Sequence, residues 1–135
     1  MDQEKKVLTI DLDVWGDDVE EILLPACPVM AEVRAQVSSG RAILYSIRTD
    51  GERIANFVLR VDCMASGKHQ GVIVAAAGRG GELNLTDELL PFIEKMFVDC
   101  DSIRVHTRRP GLVRQLVGKY GYGLEEIVLM KNLKE

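Results

Sequence analysis

The sequence predicts a mixed α/β (α+β) domain on a mainly antiparallel sheet, and three observations carry that prediction. Segments in which apolar and polar residues alternate, as in half-buried strands, are interleaved with segments whose apolar residues recur every three or four positions, as in amphipathic helices. Asp50–Gly51 lies between two strand-like runs and supplies the positive φ angles of a tight hairpin turn. The run GVIVAAA at residues 71–77 is apolar on both faces, as a central strand covered on both sides would be. At 135 residues the chain has the size of one domain, large enough to bury a core without a metal or disulfide staple.

Each element follows in order. Val7–Val14 sets Leu8, Ile10, Leu12 and Val14 against Thr9, Asp11 and Asp13, the pattern of a strand. Asp17 or Asp18 offers an N-cap for a first helix, with Glu20 and Glu21 in its opening turn where the helix dipole favours acids. Pro25 and Pro28 interrupt the helical pattern, and a second helix with Pro28 in its first turn carries the stripe Val29, Met30, Val33 and Val37 as far as Gly40. Strands are predicted over Arg41–Arg48 and Arg53–Cys63, the second with Ala55, Phe57, Leu59 and Val61 on one face. A third meander strand runs over His69–Ala77. A helix over Thr86–Val98 presents Leu89, Leu90, Ile93 and Phe97, a short strand covers Ile103–His106, and a helix over Pro110–Lys119 turns Leu112, Val113, Leu116 and Val117 inward before Gly121. Glu125–Lys131 closes the chain as a strand. The order is β-α-α-β-β-β-α-β-α-β in one domain, residues 1–135.

Composition narrows the function classes. The chain is 47% hydrophobic and 28% charged, with a mean hydropathy of +0.02, which excludes disordered, collagen-like and coiled-coil classes. Apolar runs fall short of a membrane span, and the first residues lack a secretory pattern. Three scattered cysteines, Cys27, Cys63 and Cys100, read as free thiols in a reducing, cytoplasmic setting without metal-ligand spacing. The net charge of −4 gives no global field for a polyanion. The acids are concentrated between Asp11 and Glu21 and read as helix-start charge; a metal site on Asp11 and Asp13 would need further oxygen ligands. Arg104, His106, Arg108, Arg109, Arg114 and Lys119 form a basic stretch without an acid, a candidate ridge for an anion or a partner. Five cations on an acidic protein make nucleic-acid binding weak at physiological salt. Trp15 reads as a core plug beneath the first helix or an exposed contact anchor.

The element order, the glycines after the third meander strand, Leu89–Leu90–Pro91, Arg108–Arg109 and the closing Lys119–Tyr120–Gly121–Tyr122 together resemble the GNAT superfamily of acyl-CoA N-acetyltransferases. The likeness runs best over residues 41–131 and is nearest to the short GNAT-like proteins of phages and prophages. It implies acetyl-CoA as cofactor, with the backbone of Val74, Ala75, Ala76 and Ala77 pairing with the pantetheine arm and Gly78, Arg79, Gly80 and Gly81 taking the pyrophosphate. The family commonly places a general-acid Tyr where this chain has Val117, and an Asn where it has Pro110. Tyr120 and His69 remain as the candidate acid and base. The resemblance leaves two functions open: an atypical or degenerate N-acetyltransferase acting on an amine, or a non-catalytic virion or host-interaction protein whose partner is a phage or host protein. A homodimer through a sheet edge is compatible with either.

Overall fold

The Thr49–Glu52 turn places Asp50 at φ +50° and Gly51 at φ +79°, so the hairpin forms where the sequence predicts it. In the computed structural model, described over residues 8–27, 29–79, 85–107 and 109–134, five strands make one sheet: β1 (Leu8–Leu12), β2 (Ile43–Thr49), β3 (Glu52–Cys63), β4 (His69–Gly78) and β5 (Ser102–Val105). They lie in sequence order, antiparallel throughout except for the parallel pair β4–β5. Helices α1 (Asp17–Leu23) and α2 (Met30–Ser38) lie between β1 and β2, with a 3-10 turn at Leu24–Ala26 where Pro25 ends the α-helical pattern. Helix α3 (Leu85–Met96) joins β4 to β5, and α4 (Pro110–Lys119) follows β5. No helix among the described residues is long and apolar enough to cross a membrane.

The meander has a core on each face. Val58, Ala75 and Ala77 pack with Val19, Ile22 and Leu23 of α1 and Val33 of α2, and Trp15 lies partly buried against this cluster. Phe57, Leu59 and Ile73 pack with Leu89, Leu90, Ile93 and Phe97 of the α3 region and Leu116 of α4. Alternation along β4, with Ala75 and Ala77 on the first face and Ala76 on the second, is what lets one apolar run serve both.

Several expectations are corrected. Helix α1 is preceded by Gly16 with no side-chain cap, because Asp17 and Asp18 already lie inside its first turn. Helix α2 starts at Met30 behind Val29, and Pro28 lies outside the described residues. Val61 is exposed near the end of β3, beyond the cover of the helices. On α4 only Leu116 is buried and Leu112 packs against the core, while Val113 and Val117 are 36% and 50% exposed. The strand predicted over Glu125–Lys131 does not form: residues 121–131 have no regular structure, and among the described residues they pair with no strand that would supply a ladder.

Candidate functional site

Residues Gln70–Ile73 of β4 pair with Ser102–Val105, and there β5 ends. Strand β4 continues to Gly78 without β5 beside it. At the same point the register against β3 shifts: Leu59 faces Ile73 and Val58 faces Ala75, so Val74 is an extra residue. Such a bulge bends and twists its strand, and beyond it β4 has no partner from β5.

The paired end is held shut by a close approach. A Cβ on Gly71 would lie 2.5 Å from Cγ of Phe97, so glycine is required for the ring to rest on the strand. Toward the other end a cavity of ≈ 340 Å³ opens between the sheet, α3 and α4. Ile73 and Ala76 contribute from β4 and Val105 from β5. Thr86, Leu89, Leu90 and Ile93 come from α3, and Gly111, Leu112, Gln115 and Leu116 from α4. This volume lies in the range of small-molecule sites, and the lining has their composition: mostly apolar, with a few polar groups. Arg109 stands at the start of α4, and its Nη2 donates to the Ala76 carbonyl at 3.0 Å. That carbonyl therefore points to the edge of β4 that β5 leaves open.

The candidate residues are dispersed relative to this cavity. Ala76 lines it. Val74, Ala75 and Ala77 pack on the α1–α2 side of the sheet. Gly78 faces Ala55 in the ladder, and the Arg79 amide donates to the Ile54 carbonyl at 2.8 Å, so that amide is already used within the chain. The Arg79 guanidinium lies 3.6 Å from Glu21. Gly80 and Gly81 lie outside the described residues. His69 is exposed at the paired end of β4, its amide donating to Asp101 and its carbonyl accepting from the Asp101 amide, away from the cavity.

Tyr120 does not line the cavity. Its hydroxyl donates to Asp87, which also takes Lys119 Nζ at 2.7 Å, fastening the end of α4 to the first turn of α3. The hydrogen bond to Asp87 raises the Tyr120 hydroxyl above its ordinary pKa, and the Lys119 and Tyr120 hydrogen bonds lower the Asp87 carboxyl. Tyr122 makes a second fastening, its hydroxyl donating to Glu94 at 2.9 Å; burial and that hydrogen bond push its pKa well up. These tyrosines hold α4 against α3.

The basic ridge is not one surface. Alternation along β5 sends Ile103 and Val105 into the α3–α4 core and Arg104 to the other face, where it joins Asp62 at 3.5 Å beside Arg60 and Gln36 of α2. Lys119 is tied to Asp87 and Arg109 to Ala76, while His106 and Arg114 are exposed and Arg108 lies outside the described residues. Sequence reasoning missed Thr86 and Gln115, the two neutral polar side chains in the cavity lining. Gln115 follows Gly111 by four residues and precedes Leu116, a spacing that places it beside the inward row of α4 and could have revealed it.

A network on the opposite face also escaped the sequence. Asp13 has its side chain 6% exposed, taking Arg53 Nε at 2.7 Å and Nη2 at 2.9 Å, and Asn56 Nδ2 at 3.0 Å. Burial works to raise this carboxyl, but the hydrogen bonds from Arg53, Asn56 and the Val14 amide, with the charge of Arg53, overcome it and bring the pKa to about 2. Asp13 is thus a paired structural charge. Among the described residues no group of three metal-ligating side chains is poised around an ion.

No family model matches the sequence, and no curated protein matches it. Solved structures do match in fold. A Bacillus subtilis acetyltransferase in complex with CoA superposes with a TM-score of 0.68 at 21% identity, over 89% of this chain and 79% of that one. A GNAT family acetyltransferase from Elizabethkingia anophelis with acetyl-CoA bound gives 0.67 at 18% identity, over 88% and 78%. A Trypanosoma brucei acetyltransferase gives 0.66 at 14% identity, over 94% of this chain and 100% of that one. At these identities the likeness concerns the fold, and the fold is that of the GNAT acetyltransferases.

Proposed function

We propose that this chain binds an acyl-CoA thioester in the cleft beyond the end of β5 and passes the acyl group to an amine. The observation that carries the reading is the open half of β4: an edge with no described strand beside it, its Ala76 carbonyl held by Arg109, lying along an apolar cavity of ≈ 340 Å³. A pantetheine arm fits such a place, being narrow, largely apolar and punctuated by amides that can pair with a strand edge as another strand would. Two GNAT-fold neighbours carry CoA or acetyl-CoA.

A bound thioester supplies an activated acyl carbon that an unprotonated amine attacks, with formation of an amide and release of the thiol. The chain's own contribution is placement. The Ala76 carbonyl receives a ligand amide once Arg109 turns away, and the freed guanidinium then stands at the mouth of the cleft. Leu89, Leu90, Leu112 and Leu116 exclude water, and Thr86 and Gln115 offer neutral hydrogen bonds. Among the described lining residues Arg109 alone is ionisable, so no side chain there serves as a general acid. Holding the reactants together is the principal source of rate. The same absence favours a second reading, in which the cleft binds acyl-CoA without transfer and the protein serves an interaction role, as a phage-type protein without the usual tyrosine would.

Thermal melting with CoA and acetyl-CoA, paired with an assay of thiol release in the presence of small amines, tests both. A ligand at one hundred times its Kd adds about 2.7 kcal/mol, a rise of several degrees. A rise with thiol release supports transfer, a rise without it supports binding alone, and no rise at millimolar ligand overturns both readings.

A further inference from the structure

We propose that the end of α2 and the strand rows beneath it form a second ligand site, in which Arg41, Arg60 and Arg104 receive a phosphate group, free or as a small monoester. The register brings these residues together. Arg60, Val72 and Arg104 are successive partners across β3, β4 and β5, and Asp62, Gln70 and Ser102 make the next row along. Residues two apart on a strand share a face, so both rows lie on the α2 side, where Gln36 accepts from Arg60 Nη1 at 2.6 Å. Arg41 joins from the link between α2 and β2, where it is exposed.

Positive charge is left over at this place. Arg60 takes both oxygens of Asp62, with Nε on Oδ1 at 2.8 Å and Nη2 on Oδ2 at 3.0 Å. Arg104 is left with a long contact of 3.5 Å to Oδ2, and its enclosed Nε has no hydrogen-bond partner among the described residues. The hydrogen bond from Arg60, with the charges of Arg60, Arg104 and Arg41, outweighs burial and holds the Asp62 carboxyl below its ordinary pKa. Three guanidinium groups thus bear on one carboxylate, an excess of two cations. Asp101, which precedes β5, does not redress the balance, because its carboxylate accepts from the His69 amide at 2.9 Å.

The excess selects the ligand. A phosphate group near neutral pH carries close to two negative charges and three acceptor oxygens, and guanidinium forks suit it. The donors stand on separate elements, Arg41 before β2 and Arg104 on β5, as a tetrahedral group requires. Gln70 Nε2 donates to Ser102 Oγ at 3.1 Å, which leaves the Ser102 hydroxyl proton for a further oxygen. A carboxylate brings one charge and two oxygens in a plane, and leaves part of this set unused. The site is separate from the cleft: none of these side chains lines the cavity, which lies on the other face of the sheet.

Titration of the full chain at constant ionic strength, followed through backbone and arginine Nε–H signals in nitrogen-15 NMR, tests the proposal with inorganic phosphate, methyl phosphate and acetate as probes. Inorganic phosphate should give saturable shifts at Arg41, Arg104 and Ser102, and acetate should bind at least about tenfold more weakly. Binding of methyl phosphate as well assigns the site to a monoester, and its rejection assigns the site to the free ion. Arg41→Gln and Arg104→Gln should each weaken phosphate roughly tenfold, the scale of one charge-assisted hydrogen bond. Arg41 is exposed and outside any element, so its variant retains the fold whatever Arg104→Gln does to stability. Leu112→Trp, which fills the cleft, should leave the phosphate affinity unchanged. No saturable shift at millimolar phosphate, acetate binding as tightly as phosphate, an affinity unmoved by Arg41→Gln, or its loss in Leu112→Trp overturns the proposal.

Discussion

On the β1–β3 side of the sheet the Asp13 carboxylate is met by Arg53 and Asn56 and the hairpin closes on itself, whereas on the β4–β5 side a backbone edge, a cavity and an apolar tail are left over. Both halves are built from the same alternating strands. They differ because β1, β2 and β3 pair with one another along the full length of β1 and β2, although two helices separate β1 from β2, while β5 pairs with β4 over four residues only and β4 runs on past a bulge. The closed half is a platform, and the open half holds the cavity to which the proposed function assigns the ligand.

The comparison breaks most severely if the closed half tolerates loss of its charge pair. Asp13→Ala leaves Arg53, among the described residues, with only the exposed Asp18 at 3.3 Å and should cost about 3 kcal/mol in urea unfolding, the scale for stripping one partner from a buried pair. The same group sets an acid limit. Its folded pKa of about 2 lies below the ordinary 3.8, so its contribution, about 2 kcal/mol, is fully present above pH ~4 and is lost as pH falls through the folded value. Asp13→Asn should flatten that part of the stability–pH curve.

The open half is sharpened by filling it. Leu112→Trp places a large ring in the cavity and should remove the acyl-CoA-dependent thermal shift, worth about 2.7 kcal/mol at one hundred times Kd, while the melting point without ligand stays near that of the parent. A persisting shift would place the ligand elsewhere. At the paired end, Gly71→Ala drives a methyl into the Phe97 ring and should destabilise by about 2 kcal/mol, with Phe97→Leu restoring part of the loss; full tolerance would show that α3 does not bear on the strand there. The smallest effect is expected from Arg109→Ala. Losing one charged hydrogen bond to Ala76 removes a competitor for that carbonyl, and acyl-CoA binding measured by calorimetry should tighten by about 1 kcal/mol. Weaker binding would mean that Arg109 itself contacts the ligand.

Much of the architecture was legible in the sequence because local rules specify it. Asp50–Gly51 fixes the hairpin through backbone sterics, GVIVAAA is a strand that must be covered twice, and Leu89, Leu90, Ile93 and Phe97 share one helix face by periodicity. The site was less legible. Of Val74, Ala75, Ala76 and Ala77, expected to pair with a pantetheine arm, Ala76 lines the cavity, and nothing local shows that Val74 is an extra residue, that β5 stops at Val105, or that Arg109 reaches back to the open edge. The basic stretch looked like one surface because sequence neighbours were counted together, and alternation along β5 separates them.

The sequence by itself determined the five strands from β1 to β5, the helices up to Lys119 and the two faces of the sheet, since these follow from side-chain period and turn sterics within a few residues. Only the tertiary structure decided that β4 runs on past the end of β5, that Asp13 is buried on Arg53 forty positions away, that Tyr120 fastens helices instead of lining the cavity, and that Glu125–Lys131 joins none of the described strands. Each of these depends on which distant surfaces meet, and a strand without a neighbour has no ladder to hold it, whatever its residues prefer.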